Sequence, residues 1–238
     1  MRQTKIATGY PGNKGSDGVY QRIINEIPPH KKYVELFLGS GQVLRHKLPA
    51  VYGSVGVEID TETIQSQEWE MLTQYYNLVV VPRCSIEWLE QFSKGITSDT
   101  FIYADPPYPL SSRRDLKDLY RHEMTDKQHI EFLTLAKKTG CSIAISTYEN
   151  ELYSKMLKDW RCIKYKVATR AGVATESLYM NYDEPKQLHD YRYLGKDFID
   201  RQRIKRKIKR HIDKLLALPA LERSAICHAI ETGIIDIG

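Results

Sequence analysis

The chain has 238 residues, of which 42% are hydrophobic and 27% charged, a composition typical of a globular protein with one ordinary domain and an appendage. No apolar run approaches the ~20 residues of a membrane span and no signal peptide begins at Met1, so we expect a cytoplasmic protein without membrane contact. The cysteines Cys84, Cys141, Cys162 and Cys227 show no paired spacing, which argues against a zinc cluster or disulfide framework and fits a reducing compartment.

The net charge is +5, and its distribution is more informative than its size. From Arg201 to Arg210 the chain reads RQRIKRKIKR. Such a density of basic residues fits a polyanionic partner, although a helix with a solvated face would have the same composition.

Up to residue 146, predicted helices and strands alternate. The predicted helices span residues 16–27, 63–75, 85–92 and 126–138. The predicted strands span residues 33–37, 54–58, 78–81, 100–103 and 142–146. This alternation predicts βαβ units and an α/β fold with a mostly parallel sheet.

The remainder of the chain has a different character. Residues 162–169 and 176–181 are β-like and flank the turn Ala171-Gly172, which predicts an antiparallel pair. After Pro185 the chain turns polar, so we expect a catalytic domain over 1–185 and a basic helical extension over 186–238. Its predicted helices cover residues 197–218 and 220–231.

A glycine-containing turn, Leu38-Gly39-Ser40-Gly41, follows the first predicted strand. Glycines at such a turn let the backbone approach a small bound molecule closely, although the full dinucleotide-binding pattern is not present. Glu58 ends the next strand, where an acidic side chain can bind both hydroxyls of a ribose. Asp60 is the alternative, unless it caps the following helix.

The fourth predicted strand runs into Asp105-Pro106-Pro107-Tyr108. The exocyclic amino group of adenine is a poor nucleophile because its lone pair is delocalised into the ring. The Asp105 carboxylate and the Pro106 carbonyl, aimed at its two N–H groups, would free that lone pair, and proline leaves no competing N–H. Tyr108 could stack on a base that has left the duplex. The simpler interpretation is that the prolines only end a strand and open a loop.

These residues together resemble the adenine-specific DNA methyltransferases that use S-adenosylmethionine, in particular the family of the GATC methylase and its phage and restriction-modification relatives. The resemblance covers about residues 5 to 183. The matching segments are Tyr10 to Lys14, Ile27 to His30, Glu35 to Gly41, Asp105 to Tyr108, Ile145 to Asn150 and Asn181-Tyr182. Asn13 replaces a glycine of the family pattern.

The resemblance implies a Rossmann-like methyltransferase sheet, S-adenosylmethionine as cofactor, and neither a metal nor a covalent enzyme intermediate. The implied cofactor-binding residues are Tyr10, Lys14, Glu35, Phe37, Gly39, Gly41 and Glu58. The implied catalytic residues are Asp105, Pro106, Pro107 and Tyr108.

Two departures from the family pattern affect the expectations. The third strand ends in Arg83-Cys84-Ser85 without the usual acidic residue, so Ser85 or a backbone N–H is expected to replace it. The segment between Phe37 and Asp105 is only long enough for the sheet itself, so the target-recognition domain common in the family is absent.

Two basic regions could contact nucleic acid instead. The loop after the catalytic motif and the basic helix supply phosphate contacts, which give affinity without sequence information. The candidate residues are Arg113, Arg114, Lys117 and Arg121 in the loop, and Arg203, Lys205, Arg206 and Lys207 in the helix. Solvated charge is the alternative for both.

The leading hypothesis is therefore a DNA adenine methyltransferase. An RNA adenine methyltransferase would share the catalytic motif, lack a DNA reader and carry a basic extension. Cytosine amino methylation usually has Ser in place of Asp105, and protein glutamine methylation has Asn. A nucleic-acid-binding protein without activity would show eroded motifs, whereas both the glycine turn and the catalytic motif are intact.

Overall fold

The computed structural model of the protein describes residues 14, 18–112, 120–169 and 172–233. The chain divides into two compact units, Met1–Arg192 and Tyr193–Gly238. The division falls a few residues after Pro185 because the intervening segment is bonded to the first unit. The His189 N–H donates to the Ile27 carbonyl at 3.0 Å, and the Asp190 carboxylate accepts the Leu48 N–H at 3.1 Å.

The first unit contains a seven-stranded sheet of order β3-β2-β1-β4-β5-β7-β6. Strands β1 to β5 pair in parallel, and β7 is antiparallel to both β5 and β6. The strands are β1 Lys32–Leu36, β2 Ser54–Glu58, β3 Leu78–Pro82, β4 Thr100–Ala104, β5 Ser142–Tyr148, β6 Arg161–Thr169 and β7 Gly172–Met180. The predicted α/β fold class, a Rossmann-like methyltransferase sheet with a terminal antiparallel pair, is confirmed.

Short helices connect the strands of the first unit. They are α1 Val19–Ile24, α2 Gln42–His46, α3 Thr61–Gln65, α4 Glu70–Tyr76, α5 Ser85–Phe92, α6 Asp126–Ala136 and α7 Glu151–Met156, with 3-10 turns at Ser93–Gly95 and Leu110–Ser112. The single helix predicted over 63–75 is two helices. The Trp69 indole N–H donates back to the Ile64 carbonyl at 2.9 Å, so the chain folds over between α3 and α4.

The core lies around the central strands and the helices that cover them. Every residue of β4 is buried, as expected for a strand covered on both faces. Ile102 packs in one cluster with Leu89 of α5 and with Phe132 and Leu133 of α6. This packing holds the carboxyl end of β4, where Asp105 follows, in a defined position.

A capping box begins α6. Thr125 Oγ1 accepts the Gln128 N–H at 3.3 Å, and Gln128 Oε1 accepts the Thr125 N–H at 2.9 Å. We expect Thr125→Ala to lower the free energy of unfolding by about 1 kcal/mol, measured by urea denaturation. Thr134→Ala is the matched control, because its exposed hydroxyl only donates to the Ile130 carbonyl within the same helix. Equal losses in the two variants would contradict a capping effect.

The second unit consists of α8 Phe198–Leu216 and α9 Ala220–Thr232, close to the predicted bounds. The Asp197 side chain caps α8 by accepting the Asp200 N–H at 2.8 Å. Neither helix contains a buried residue. Among the described residues, no helix combines the length and apolar character needed to cross a membrane.

Candidate active site

The carboxyl ends of neighbouring parallel strands bring the sequence motifs together. Leu36 of β1 is paired with Ala104 of β4 on one side and Val57 of β2 on the other. A cavity of about 450 Å³ lies at this edge, within the usual range for small-molecule sites. Eight of the predicted cofactor-binding and catalytic residues line it: Lys14, Glu35, Phe37, Gly39, Gly41, Glu58, Asp105 and Pro107.

The turn after β1 has left-handed backbone at three positions. Phe37, Gly39 and Gly41 have φ values of 56°, 51° and 64°. A Cβ atom on Gly41 would lie 3.1 Å from the Trp69 ring, so glycine is needed there for space as well as for φ. Phe37 is not glycine, and its strained backbone is held by a hydrogen bond from its N–H to Ser85 Oγ at 3.0 Å. Ser85, the residue suggested for the missing acid, thus lines the cavity and supports the turn.

The two acidic candidates for ribose binding have different surroundings. Both Glu58 oxygens accept backbone N–H groups, from Gly39 at 2.7 Å and Asp60 at 2.9 Å. Burial raises the pKa of Glu58, and these two N–H donors oppose the rise. The Asp60 carboxylate accepts the Glu62 N–H at 3.1 Å and the Thr63 hydroxyl at 2.7 Å, as the N-cap of α3. Asp60 therefore has the capping role considered from the sequence, and both side chains line the cavity.

Asp105 belongs to a buried polar cluster. Its Oδ1 lies 3.0 Å from Lys14 Nζ and accepts the Tyr108 hydroxyl at 3.2 Å. Glu176 Oε1 lies 2.9 Å from Lys14 Nζ and accepts the same Tyr108 hydroxyl at 2.8 Å. The Lys14 ammonium also contacts the Tyr108 oxygen. One ammonium and one phenol thus join two carboxylates from distant parts of the chain.

The cluster shifts the ionisation of its members. Burial raises the pKa of Asp105 to about 6, while Lys14 lowers it and Glu176 raises it further. Burial alone would lower the pKa of Lys14, but the carboxylates of Asp105 and Glu176 reverse this and keep the pKa above its ordinary value. Lys14 therefore remains an ammonium, and Asp105 is a carboxylate at neutral pH.

Glu176 was not predicted from the sequence. It lies on β7 with only 4% of its surface exposed, next to buried Ser177 and Leu178. The one sequence feature that could have indicated a functional role for Glu176 is an acidic residue at the start of an apolar strand segment. Its partners are 162 and 68 residues away along the chain, so no local pattern connects them.

Tyr108 and Pro106 lie behind the cavity wall rather than on it. The Tyr108 side chain is 3% exposed, and its ring is 4.2 Å from that of Tyr148, at an interplanar angle of 54°. Pro107 and Tyr103 complete the wall beside Asp105. In this structure Tyr108 is a member of the polar cluster, and stacking on a base would require its ring to leave Tyr148.

Glu35 is a second buried carboxyl group at this edge. Its Oε2 accepts the Tyr33 hydroxyl at 2.7 Å and the Leu44 N–H at 2.9 Å. Burial raises the pKa of Glu35 to about 8, against the effect of both donors. Burial therefore favours the protonated form of Glu35 more than that of Asp105.

The candidate nucleic-acid contacts are only partly described. Arg121 lines the cavity, is ion-paired with Glu62 and lies 3.4 Å from Asp60 Oδ1. In the second unit, Arg203 pairs with Asp200 at 2.8 Å. Lys205, Arg206 and Lys207 are exposed. Tyr10, Arg113, Arg114 and Lys117 lie outside the described residues.

The seven-stranded sheet with its reversed β7 defines the Rossmann-like fold of S-adenosylmethionine-dependent methyltransferases. No family model and no curated protein matches the chain. Solved structures resemble it at low identity. The SAM-dependent methyltransferase from Agrobacterium tumefaciens is 10% identical with a TM-score of 0.44, over 68% of this chain and 60% of that protein.

Two further structures show the same level of similarity. The 23S rRNA methyltransferase ErmE is 15% identical with a TM-score of 0.46, over 71% of this chain and 68% of that one. The precorrin 8W decarboxylase from Methanobacterium thermoautotrophicum is 16% identical with a TM-score of 0.44, over 73% of this chain and 94% of that one. These likenesses concern the fold alone, so the activity must be argued from the chain's own residues.

Proposed function

We propose that the chain is an S-adenosylmethionine-dependent methyltransferase that methylates the exocyclic amino group of adenine in nucleic acid, with DNA as the leading substrate. The observation that carries this proposal is the position of Asp105. It follows β4 on the wall of a cavity whose other walls come from the glycine turn after β1 and the acidic end of β2. A cofactor site and an acceptor for an amino group thus share one cavity.

The residues present fit the cofactor. The cavity is large enough for a nucleoside derivative, and the absence of a Cβ at Gly41 keeps the turn clear of Trp69. Glu58 is the ribose ligand, while Lys14 and Glu35 belong to the methionine end, with Tyr10. When bound, S-adenosylmethionine supplies an activated methyl group on a cationic sulfonium.

The chain's own residues activate the acceptor. The Asp105 carboxylate on the cavity wall accepts one amino N–H group. The motif assigns the second N–H group to the Pro106 carbonyl, which requires the base to displace the residues in front of Pro106, and the two acceptors together make the nitrogen lone pair available. A carboxylate in this partly buried position also stabilises the positive charge that develops on the nitrogen. Much of the remaining acceleration comes from holding the base and the cofactor in line.

DNA is preferred because the order and spacing of the motifs resemble DNA adenine methyltransferases. RNA is the second candidate, favoured by the missing target-recognition domain and by the exposed basic residues of α8. Phosphate contacts from that helix would serve either nucleic acid.

Methyl transfer from radiolabelled S-adenosylmethionine tests the proposal, with unmethylated DNA, ribosomal RNA and transfer RNA assayed separately. Label on N6 of DNA adenine supports the leading substrate. Label only on RNA adenine moves the activity to the second candidate. Absence of label on every substrate, in protein that binds S-adenosylmethionine, would contradict the proposed activity.

The assignment of the ribose ligand has its own test. We expect Glu58→Gln to raise the Kd for S-adenosylmethionine about 10- to 100-fold, because a neutral amide cannot accept both ribose hydroxyls as a carboxylate does. Asp60→Asn is the matched control, since asparagine is an equally good N-cap. Titration calorimetry measures both Kd values. Weakened binding in Asp60→Asn alone would assign the ribose to Asp60 instead.

A further inference from the structure

The polar cluster behind the cavity contains a carboxylate, that of Glu176, to which the proposed reaction assigns no role. Glu176 Oε1 contacts both Lys14 and Tyr108, the same two groups that contact Asp105. Glu176 Oε2 is buried, and no hydrogen-bond partner is found for it among the described residues. An unpartnered buried oxygen is costly, so its retention calls for a functional explanation.

Among the residues that the structure describes, the charges of the cluster do not balance. Two carboxylates, Asp105 and Glu176, share one ammonium, Lys14, and the hydroxyl of Tyr108 bridges them. Replacing Glu176 by a neutral group would leave one well-matched ion pair. The fold itself therefore gains little from the second carboxylate, since a buried uncompensated charge disfavours folding.

We propose that Glu176 is a positioning residue for methyl transfer, which holds Lys14 and Tyr108 and so keeps Asp105 basic enough to accept the proton released from the adenine amino group. The inference rests on the proposed function and assigns a role in it to a strand that the sequence motifs do not include.

The chemistry of the amino group explains why such a residue is useful. The amino nitrogen forms a bond to the methyl carbon as the carbon–sulfur bond breaks, and the positive charge passes from sulfur to nitrogen. The nitrogen then releases one proton, which Asp105 accepts and passes to solvent. A site with one excess negative charge stabilises the cation before the proton leaves.

Glu176 also controls the basicity of Asp105. A carboxylate held tightly by Lys14 alone would be a weak base, because an adjacent cation lowers its pKa. Glu176 shares that ammonium and repels a second negative charge. Both effects raise the affinity of Asp105 for a proton.

Several other titratable groups lie around Asp105. Those that face or influence it are Lys14, Glu35, Tyr103, Tyr108, Tyr153, Tyr165 and Glu176. Burial raises the pKa of every one of these phenols above its ordinary value, so they stay neutral. The pKa of Glu35 is about 8, well above that of Asp105.

Glu176→Gln is the direct test, because it removes the charge and keeps the shape. We expect kcat to fall about tenfold or more with the Kd for S-adenosylmethionine within about threefold of wild type. The acid limb of the pH–kcat profile should move to lower pH by about one unit, because Asp105 loses a repelling neighbour. Glu176→Asp, which keeps the charge, should leave the limb near its wild-type position.

Exposed Glu131 on α6 provides the matched control, Glu131→Gln, which should change neither kcat nor the profile. The melting temperature of each variant verifies folding. A Glu176→Gln variant that folds and keeps both the wild-type kcat and the wild-type acid limb would overturn the proposal.

A second readout separates this inference from the proposed function. Carbon-13 NMR of protein with labelled aspartate follows the titration of the Asp105 carboxyl group directly. The Asp105 resonance is the one that disappears in Asp105→Asn. A lower Asp105 pKa in Glu176→Gln than in wild type supports the positioning role, even if no adenine is methylated. Absence of adenine methylation would count against the proposed reaction instead. An unchanged Asp105 pKa would refute the control by Glu176 whatever the activity.

Discussion

Replacing Asp105 with alanine should reduce kcat for methyl transfer by about 10²–10³-fold or more, while binding of S-adenosylmethionine stays within a few-fold of wild type. In the proposed reaction, the variant loses the carboxylate that accepts an amino N–H and stabilises positive charge on the nitrogen. The cofactor side of the cavity, built by the glycine turn and Glu58, is left intact. Single-turnover transfer of labelled methyl groups to the nucleic acid identified as substrate measures the loss.

The fold should tolerate this change, because Lys14 retains Glu176 as a partner at 2.9 Å. Asp105→Asn keeps one acceptor oxygen without the charge, so its kcat should lie between those of wild type and Asp105→Ala. Asp126→Asn, at the exposed start of α6, is a control for aspartate loss elsewhere. Comparable kcat values for Asp105→Ala and wild type would rule out the catalytic assignment.

The pH dependence of methyl transfer by the wild-type protein also tests the catalytic role of Asp105. The proposed reaction requires Asp105 to be ionised to accept the amino N–H, and its pKa is raised to about 6 by burial and by Glu176, against Lys14. The rate should therefore rise as the pH increases through about 6 and then level off. Asp105→Ala should lack this rise.

Local sequence patterns predicted most of the sheet. The bounds of β2 and α5 were predicted to the residue, because apolar runs flanked by turn residues determine such short elements. The shared edge followed from the same pattern, since parallel strands place their carboxyl ends together. Lys14, Glu35 and Glu58 thus line one cavity, as the order of motifs implied.

Tertiary contacts determined what local patterns could not predict. The break between α3 and α4 depends on the Trp69 indole bond to Ile64, and helical periodicity runs through it. Glu176 meets Lys14 only because the reversed strand β7 inserts beside β5. The ion pair of Arg121 with Glu62 was likewise not predicted, while the phosphate contact of Arg121 stays a prediction.

The variant Lys205→Gln/Arg206→Gln/Lys207→Gln neutralises three exposed basic residues of α8. It should bind nucleic acid about 10²–10³-fold more weakly than wild type at roughly 0.1 M salt. Each phosphate that a basic side chain contacts releases its counterions. On duplex DNA, the slope of log K against log salt should therefore become shallower by about 0.9 for every phosphate contact that the variant loses. The loss of affinity should be similar for all sequences, because phosphate contacts carry no base information. Fluorescence anisotropy across a salt series measures both quantities.

Arg203 offers an internal comparison, because it is already paired with Asp200 at 2.8 Å. Arg203→Gln should therefore cost less affinity than loss of an exposed residue without such a pair. A triple variant of the first unit, Lys127→Gln/Lys138→Gln/Lys158→Gln, removes equal charge from exposed positions outside α8. If both triple variants lose affinity equally, net charge rather than the basic helix accounts for binding. If the α8 variant alone shows a reduced salt slope with unchanged kcat at saturating substrate, α8 is the nucleic-acid contact that replaces the missing recognition domain.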